Sequence, residues 1–306
     1  MKVLITGSKG LVGSALSSAL HALNIDVVGV DNRAEIGDPE YGDILDENCI
    51  YPLADRVDGI VHLAAISRVI DGEKNPQLCW STNVDGTAII TDSALTSSKK
   101  PWVIYASSRE VYGQPETFPV KETAPLIPVN IYGKSKCAAE AIVEKAKEKG
   151  LRGSIVRFSN VFGSVNDYPD RVIPAFCRAA AEGNPIRVDG ESNLFDFTYL
   201  EDVLQGILSI IRLLSQHDQP LPPIHLTSGA AVSLGQIAQI AKLASPYSIK
   251  IYEEASRSYD VSQFWGDTTR ARELLNWQAC VNVTEGMHRL INQFRLSNSS
   301  NQLLEA

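Results

Sequence analysis

The sequence has few cysteines, and none of them is paired in a short motif. The five residues, Cys49, Cys79, Cys137, Cys177 and Cys280, are scattered along the chain without a C-x-x-C pair. This spacing argues against a structural zinc site and against a disulfide framework. We therefore expect reduced thiols in a cytoplasmic protein, with no bound metal.

Long apolar runs and an excess of basic residues are also missing. No run approaches the roughly 18 apolar residues of a transmembrane helix. Residues 1–6 lack the longer apolar core of a signal peptide, so we expect neither a membrane anchor nor a leader. Lys and Arg number 28 against 36 Asp and Glu, a net charge of −8. This charge argues against a nucleic-acid partner, but an anionic small molecule needs only local positive charge.

The remaining composition is that of an ordinary globular protein, with 44% hydrophobic and 21% charged residues. At 306 residues the chain is longer than one simple core usually holds, so we expect two lobes.

A glycine-rich turn between Lys2 and Ser14 organises the first half of the chain. Val3-Leu4-Ile5 is typical of a short buried parallel strand, and Gly7, Gly10 and Gly13 follow it. Such glycines allow a tight turn, close approach of backbone to a pyrophosphate, and close packing of the next helix. The helix begins at this turn, where its free N–H groups suit a phosphate. The turn predicts a dinucleotide site.

Asp31 ends the second predicted strand, residues 25–30. A carboxylate at that position can accept hydrogen bonds from both ribose hydroxyls of adenosine and repels a 2′-phosphate. It therefore favours NAD over NADP. Arg33 and Lys9 are the evidence against this choice, because either side chain can meet a phosphate.

Three later segments add candidate residues for chemistry. A strand near residues 57–65 ends in small residues that leave room for a cofactor, and we interpret its His62 as structural. Another strand is followed by Ser108, at the edge of a parallel sheet where ligands bind. In a helix predicted from about 132 to 149, Tyr132 and Lys136 share one face.

These three side chains suit hydride removal from an alcohol, whose hydroxyl proton must leave at the same time. A tyrosine such as Tyr132 can accept that proton if its pKa lies near the working pH. The Lys136 ammonium is expected to stabilise the phenolate and to bond the nicotinamide ribose. Ser108 is expected to bond the same substrate oxygen.

Taken together, the motifs resemble the extended short-chain dehydrogenase/reductases, and more narrowly the nucleotide-sugar epimerase/dehydratase family. They are the glycine turn, Asp31, His62-Leu63-Ala64-Ala65, Asn83-Val84-Asp85-Gly86-Thr87, Ser108 with Val111-Tyr112-Gly113, Tyr132-Gly133-Lys134-Ser135-Lys136, Arg157 to Gly163, Asp196-Phe197, Glu201-Asp202-Val203, Arg257, Gly266-Asp267-Thr268 and Leu275-Asn276-Trp277. The resemblance covers almost the whole chain.

The resemblance implies an α/β protein, with a doubly wound parallel Rossmann sheet and a smaller interleaved α/β lobe for substrate. We expect the NAD-binding domain in residues 1–158 and 194–228, the substrate lobe in 159–193 and 229–295, and a mobile tail in 296–306. Residues 84–95 and 132–149 resemble the helices that pair in a homodimer of the family.

The expected contacts divide into two sets. Those to NAD are Gly7, Gly10, Leu11, Val12, Gly13, Asp31, Asn32, Arg33, Asp43, Ile44, Leu63, Ala64, Ala65, Asn83, Tyr132 and Lys136. Those to a nucleotide-sugar substrate are Ser108, Asn160, Arg187 and Arg257. The family usually has an arginine directly before the Asp-Phe pair, where this chain has Phe195. One phosphate contact is therefore either missing or supplied by Arg187 or Arg171.

Arg109 and Glu110 are expected to decide the reaction. The family's 4,6-dehydratases have Thr-Asp-Glu at this stretch and its glucuronate decarboxylases have Thr-Ser-Glu, whereas this chain has Ser-Arg-Glu. Arginine stays charged and cannot donate the proton for loss of water. It can instead neutralise an anionic group or pair with the glutamate. We expect an NAD-dependent 4-epimerase resembling UDP-glucose 4-epimerase. The alternatives are a UDP-glucuronate decarboxylase, a related dehydratase, and a non-catalytic NAD-sensing protein.

Overall fold

The computed structural model describes residues 1–255 and 261–304, with residues 298–304 described by backbone alone. The strands are β1 (Lys2–Thr6), β2 (Asp26–Val30), β3 (Gly59–His62), β4 (Trp102–Ser108), β5 (Gly153–Phe158), β6 (Asn160–Phe162), β7 (Ile186–Asp189), β8 (Leu194–Phe195), β9 (Phe197–Tyr199), β10 (Ile224–Leu226), β11 (Val232–Ser233), β12 (Ile251–Glu254) and β13 (Gln263–Phe264). The helices are α1 (Leu11–Ala22), α2 (Glu47–Ala54), α3 (Val69–Lys74), α4 (Pro76–Trp80), α5 (Gly86–Thr96), α6 (Ile131–Glu148), α7 (Val172–Glu182), α8 (Leu200–Gln216), α9 (Leu234–Ala244), α10 (Thr269–Leu275) and α11 (Val283–Leu304).

Six of these strands form one parallel sheet in the order β10-β5-β4-β3-β1-β2. Every residue of β3 and β4 is buried, as expected for strands covered by helices on both faces. Leu16 of α1 and Ile207 of α8 pack in the core on one face. Ile50 of α2 and Ile90 of α5 pack in the core on the other. The predicted doubly wound α/β fold is confirmed.

A second hydrophobic core lies in the remaining part of the chain. It joins α7, α9 and α11, and the short strands β7 and β12 pair in parallel beside it. Phe195, Phe197 and Tyr199 pack in this second core, whereas Leu275 and Trp277 pack in the first. The chain therefore passes between the two lobes more than once. The domain boundaries given above stay a proposal.

Two helical segments differ from the prediction. The helix expected at residues 84–95 begins within a π-helical turn over Ser81–Asp85, which follows α4 and precedes α5. Helix α11 does not stop near residue 295 but continues to Leu304, so most of the predicted tail is helical. Mobility of the tail stays a prediction. Within residues 1–255 and 261–304, no helix is long and apolar enough to cross a membrane.

Candidate active site

The glycine turn lies at the point where the strand order of the sheet reverses. Strand β1 is flanked by β2 on one side and by β3 on the other, which opens a crevice at its carboxyl end. Gly7 has φ of +74°, and a Cβ there would lie 2.7 Å from the backbone nitrogen of Ala64. A Cβ on Gly13 would lie 2.1 Å from the carbonyl oxygen of Gly7. Both positions therefore require glycine.

A cavity of about 1250 Å³ extends from this turn across the carboxyl ends of the strands. Its wall contains most of the predicted site residues: Gly7, Gly10, Leu11, Val12, Gly13, Asp31, Asn32, Arg33, Asp43, Ile44, Leu63, Ala64, Ala65, Ser108, Arg109, Glu110, Tyr132, Lys136, Asn160 and Arg187. Arg257 lies outside the described residues. A volume of this size exceeds that of ordinary small-ligand pockets and suits a dinucleotide together with a second ligand.

Asn83 is the exception among the predicted cofactor contacts, because it does not line this cavity. Its side chain is buried, accepts from the backbone N–H of Ile66 at 2.8 Å and donates to the Ser135 hydroxyl at 2.9 Å. Through these two hydrogen bonds, the side-chain amide of Asn83 holds the segment after β3 against α6. Asn83 thus supports the cavity wall, and its predicted contact with the cofactor stays a prediction.

Asp31 is buried at the end of β2, where its carboxylate accepts several hydrogen bonds. It accepts from the backbone N–H groups of Lys9 and Arg33, both at 2.9 Å, and from the Arg33 guanidinium at 3.1 Å. Burial acts to raise the pKa of Asp31, but these hydrogen bonds outweigh it and hold the pKa below its usual value. A charged carboxylate is thus fixed where an adenosine ribose is expected.

Lys9, one of the two residues that argued for NADP, is neutralised by acidic neighbours. Its Nζ atom lies 3.2 Å from Asp38 and 3.3 Å from Glu40. The other, Arg33, is paired with Asp31. With three carboxylates around this end of the cavity, a 2′-phosphate would meet net negative charge. The residues therefore fit NAD rather than NADP.

Ser108 and Tyr132 come together at the middle of the cavity. The Ser108 hydroxyl lies near the Tyr132 side chain, where it acts to lower the pKa of that tyrosine, and it accepts a hydrogen bond from the backbone N–H of Glu110 at 3.2 Å. Asn130 caps α6, because its side-chain oxygen accepts a hydrogen bond from the backbone N–H of Gly133 at 2.7 Å. The helix therefore begins beside β4, the strand that ends at Ser108. The loop and the helix cap therefore fix both hydroxyl groups.

Lys136 lies one turn further along α6, but its ammonium does not contact Tyr132. Its Nζ atom donates to the carbonyl oxygen of Ala106 at 2.7 Å, and burial lowers its pKa to about 8. Burial raises the pKa of Tyr132 to about 12, while the bond to Ser108 acts to lower it. The Ala106 carbonyl uses only one of the N–H donors of the ammonium, and the expected stabilisation of a phenolate by Lys136 stays a prediction.

A buried ion pair anchors the same helix to the sheet. Glu140, one turn beyond Lys136, accepts from Arg157 of β5 at 2.6 and 2.9 Å and from the Ser107 hydroxyl at 2.5 Å. Arg157 also donates to the Tyr112 hydroxyl at 2.6 Å. Arg157 and Tyr112 belong to the resemblance, but Glu140 was not predicted. Its spacing from Tyr132 and Lys136, four residues at each step, is the signal that would have found it.

Arg109 and Glu110 form the predicted pair with each other. The Nη2 atom of Arg109 lies 2.9 Å from Oε1 of Glu110, and Asn130 donates to Oε2 of Glu110 at 2.8 Å. Both carboxylate oxygens are thus occupied. The guanidinium carbon of Arg109 lies 4.6 Å from the ring centre of Phe195, the residue that replaces the family's arginine.

Asn160 and Arg187 occupy different settings in the same wall. Asn160 donates to the carbonyl oxygen of Asp196 at 3.1 Å, and the buried carboxylate of Asp196 accepts from Ser228 and Gly229. Arg187 is paired with Asp189 at 2.7 Å and is 70% exposed. Its predicted substrate contact stays a prediction.

A segment between β6 and α7 crosses the cofactor end of the cavity and was not predicted as part of the site. Tyr168 lies near the Arg33 side chain and acts to raise the pKa of its guanidinium, and the guanidinium of Arg68 lies 4.9 Å from the Tyr168 ring centre. Arg68 also pairs with Asp170 and, at 3.6 Å, with Asp71. The contacts of Arg68 with Tyr168 and Asp170 join residues about 100 positions apart, so no local motif signals them.

Comparison with known proteins agrees with this geometry. The model of the NAD dependent epimerase/dehydratase family matches residues 3–221. The chain belongs to this family. Among curated relatives, UDP-glucose 4-epimerase of Lacticaseibacillus casei is 26% identical over 305 residues, covering 91% of this chain and 92% of that protein. UDP-glucuronic acid decarboxylase 1 of Danio rerio is 28% identical over 312 residues, covering 96% of this chain and 72% of that protein.

Solved structures of the family superpose over nearly the whole chain. MoeE5 in complex with UDP-glucose and NAD has a TM-score of 0.89 and 26% identity, covering 97% of this chain and 100% of that one. UDP-glucose 4-epimerase of Thermotoga maritima, at 24% identity, has a TM-score of 0.89 with the same coverage. The predicted family and the NAD cofactor are confirmed. The comparisons leave open which reaction of the family this member performs, because epimerases and decarboxylases are matched equally well.

Proposed function

We propose that the protein is an NAD-dependent nucleotide-sugar 4-epimerase, resembling UDP-glucose 4-epimerase. The observation that carries the proposal is the meeting of Ser108 and Tyr132 beside a paired Arg109 and Glu110. The first pair handles the proton of a sugar hydroxyl. The second pair contains no free carboxylic acid for a further elimination step.

In the proposed mechanism Tyr132 takes the proton of the O4 hydroxyl while Ser108 bonds the same oxygen. NAD, held by the glycine turn and Asp31, would supply the hydride acceptor and donor for C4. Lys136 supplies positive charge beneath the tyrosine, and the Ala106 carbonyl holds its ammonium in place. Rotation of the 4-keto sugar in the large cavity then presents its other face to the returning hydride.

A 4,6-dehydratase is disfavoured by the same pair. Loss of water from the sugar needs a proton donor and a base close to C5 and C6. Arg109 cannot donate a proton at ordinary pH, and Glu110 is ion-paired with Arg109 through Oε1 while its Oε2 accepts a hydrogen bond from Asn130.

The direct test incubates the NAD-loaded enzyme with UDP-glucose and its N-acetylated relative, and follows products by NMR. The proposal expects interconversion with the 4-epimer, no net change in NADH absorbance and no carbon dioxide. Absence of turnover of any nucleotide sugar, with NAD still bound, would favour a non-catalytic NAD-sensing protein instead.

A UDP-glucuronate decarboxylase remains the second candidate, favoured by the position of Arg109 in the cavity wall. Oxidation at C4 turns a uronate into a β-keto acid, which loses carbon dioxide readily. Release of carbon dioxide and a pentose product from UDP-glucuronate would replace the epimerase proposal. We further propose, from family resemblance alone, that α5 and α6 pair in a homodimer.

A further inference from the structure

We propose that Arg109 and Phe195 form an oxyanion-binding subsite that holds either the diphosphate of the substrate or a carboxylate on its sugar. The inference rests on the proposed function only in taking a nucleotide sugar as the ligand. It assigns a binding role to the two positions at which the sequence departs from its family.

The guanidinium of Arg109 is held in one orientation by aromatic rings. Its central carbon lies 4.6 Å from the ring centre of Phe195 and 6.0 Å from that of Phe264. Phe264 is itself fully buried and stacks on Tyr112 with ring centres 5.8 Å apart. Such stacking fixes the plane of an arginine without using its N–H groups, so the donors stay available for a ligand.

The guanidinium of Arg109 has a buried nitrogen that makes no hydrogen bond in the described part of the chain. Nη2 of Arg109 is taken by Oε1 of Glu110, at 2.9 Å. The other oxygen of Glu110, Oε2, accepts from Asn130 at 2.8 Å. Nη1 of Arg109 is buried and has no partner among the residues that the structure describes. Buried donors are nearly always paired, so this atom calls for an acceptor from outside the chain.

Other basic side chains in the same wall already have their acceptors. Each pairs with a carboxylate or a carbonyl: Lys9 with Asp38 and Glu40, Arg33 with Asp31, Arg68 with Asp71 and Asp170, Lys136 with Ala106, Arg171 with Asp167, and Arg187 with Asp189. Within the described wall, Arg109 has the one buried side-chain nitrogen that lacks a partner.

A planar cation with a free N–H group suits the oxygen of a phosphate or a carboxylate, which form short charge-assisted hydrogen bonds. The guanidinium also lies over Phe195, where the resemblance expects an arginine for a phosphate contact. The chain thus has no arginine at position 195, but the guanidinium of Arg109 brings a positive charge next to that position.

The experiment measures binding to the full-length, NAD-loaded protein by isothermal titration calorimetry, with UDP, UDP-glucose and UDP-glucuronate as probes. Two variants are compared with the wild type. Arg109→Lys keeps the charge but loses the planar fork, and the double variant Arg109→Met/Glu110→Gln removes both charges without leaving one buried alone. Thermal unfolding confirms that each variant is folded.

We expect affinity to fall about 10- to 100-fold in the double variant, the usual size for loss of a charge-assisted hydrogen bond. A loss shared by all three probes assigns the subsite to the diphosphate, and a loss confined to UDP-glucuronate assigns it to a carboxylate. Equal affinities of the folded variants and the wild type for all three probes would overturn the subsite and leave the proposed function standing. A wild type that binds none of the probes would instead contradict the proposed function, and the subsite with it.

Arg178→Lys is the matched control. Arg178 also lies over an aromatic ring, Phe294, at 5.1 Å, and also has a buried nitrogen without a partner in the described chain. It does not line the cavity, so this variant is expected to bind all three probes as the wild type does.

Discussion

The Nζ atom of Lys136 lies 2.7 Å from the carbonyl oxygen of Ala106, two residues before Ser108 on β4. This bond ties the middle of α6 to the carboxyl end of the strand that carries the serine. Glu140 ties the helix again one turn later, through Ser107 and Arg157. The spacing of the Ser108 and Tyr132 hydroxyl groups, to which we assign the proton transfer, is therefore set by contacts that lie beneath them.

The first prediction concerns the charge of Lys136. Burial lowers its pKa to about 8 in the folded protein, against a usual value of 10.5. Between pH 8 and pH 10.5, Lys136 is protonated in the unfolded chain but has lost its proton in the folded chain. The contribution of Lys136 to the free energy of unfolding therefore rises with pH. From pH 7 to 9.5, the wild type should gain about 2 kcal/mol of unfolding free energy relative to Lys136→Met.

Urea titrations of both proteins at the two pH values measure this difference. Other groups that titrate in the same range act on both proteins alike and cancel in the comparison. Parallel stability curves for wild type and variant would contradict the lowered pKa.

The second prediction is that Tyr132→Phe abolishes proton transfer without disturbing the fold. Loss of a general acid–base group lowers the rate by about 10² to 10⁴. Affinity for NAD should stay close to that of the wild type. Turnover of nucleotide sugar and calorimetric titration with NAD check the two parts separately.

Tyr112→Phe is the control for this variant, since it also removes a buried tyrosine hydroxyl. That hydroxyl bonds Arg157 and His225 at 2.6 Å and lies away from the cavity wall. The control should lose about 1–3 kcal/mol of stability and keep most of its turnover. Near-normal turnover by Tyr132→Phe would remove the basis of the mechanism.

The third prediction is that Asp31→Ala weakens NAD about 10- to 100-fold and reduces the preference against NADP. The carboxylate of Asp31 is the ribose acceptor, and its charge opposes a 2′-phosphate. Asp26→Ala, at the opposite end of β2, should leave both affinities unchanged. Calorimetric titrations with the two cofactors provide the test. Tighter binding of NADP than of NAD by the wild type would show that Arg33 or Lys9 dominates.

Local motifs, with the family that they resemble, were sufficient to predict the fold and most residues of the cavity wall. Gly7, Gly10 and Gly13 follow a strand directly, and Tyr132 and Lys136 lie on one helical face, so a few consecutive residues contain the information. His62 was interpreted as structural, and it is buried between Thr6 and Thr87 with its pKa lowered by burial to about 3.

The electrostatic setting of the site could not be predicted in the same way. The positions of Asp38 and Glu40 around Lys9 depend on how the loop after β2 folds back over the glycine turn. The stacking of Arg109 on Phe195 joins residues from different lobes. Such contacts follow from tertiary packing, which a motif does not encode.

The fourth prediction concerns the buried pair of Glu140 and Arg157, which are each 4% exposed in the side chain. Glu140→Ala leaves the arginine charge buried without its partner and should cost roughly 3–5 kcal/mol of stability. Glu144→Gln, one turn later on the same helix, breaks a pair with Lys147 in which the glutamate is 44% exposed. This control should cost roughly 1 kcal/mol or less. Urea unfolding of the two variants beside the wild type provides the comparison.

The same pair should also affect the pH dependence of activity through Lys136. Burial is the main cause that lowers the pKa of Lys136, and the negative charge of Glu140 partly opposes it. Glu140→Gln removes that charge, so the lysine should lose its proton at lower pH than in the wild type. If the charged lysine supports Tyr132, kcat/KM of Glu140→Gln should begin to fall at a lower pH than that of the wild type. The control Glu144→Gln should keep the wild-type pH profile. An unchanged profile in folded Glu140→Gln would mean that Glu140 acts on stability alone.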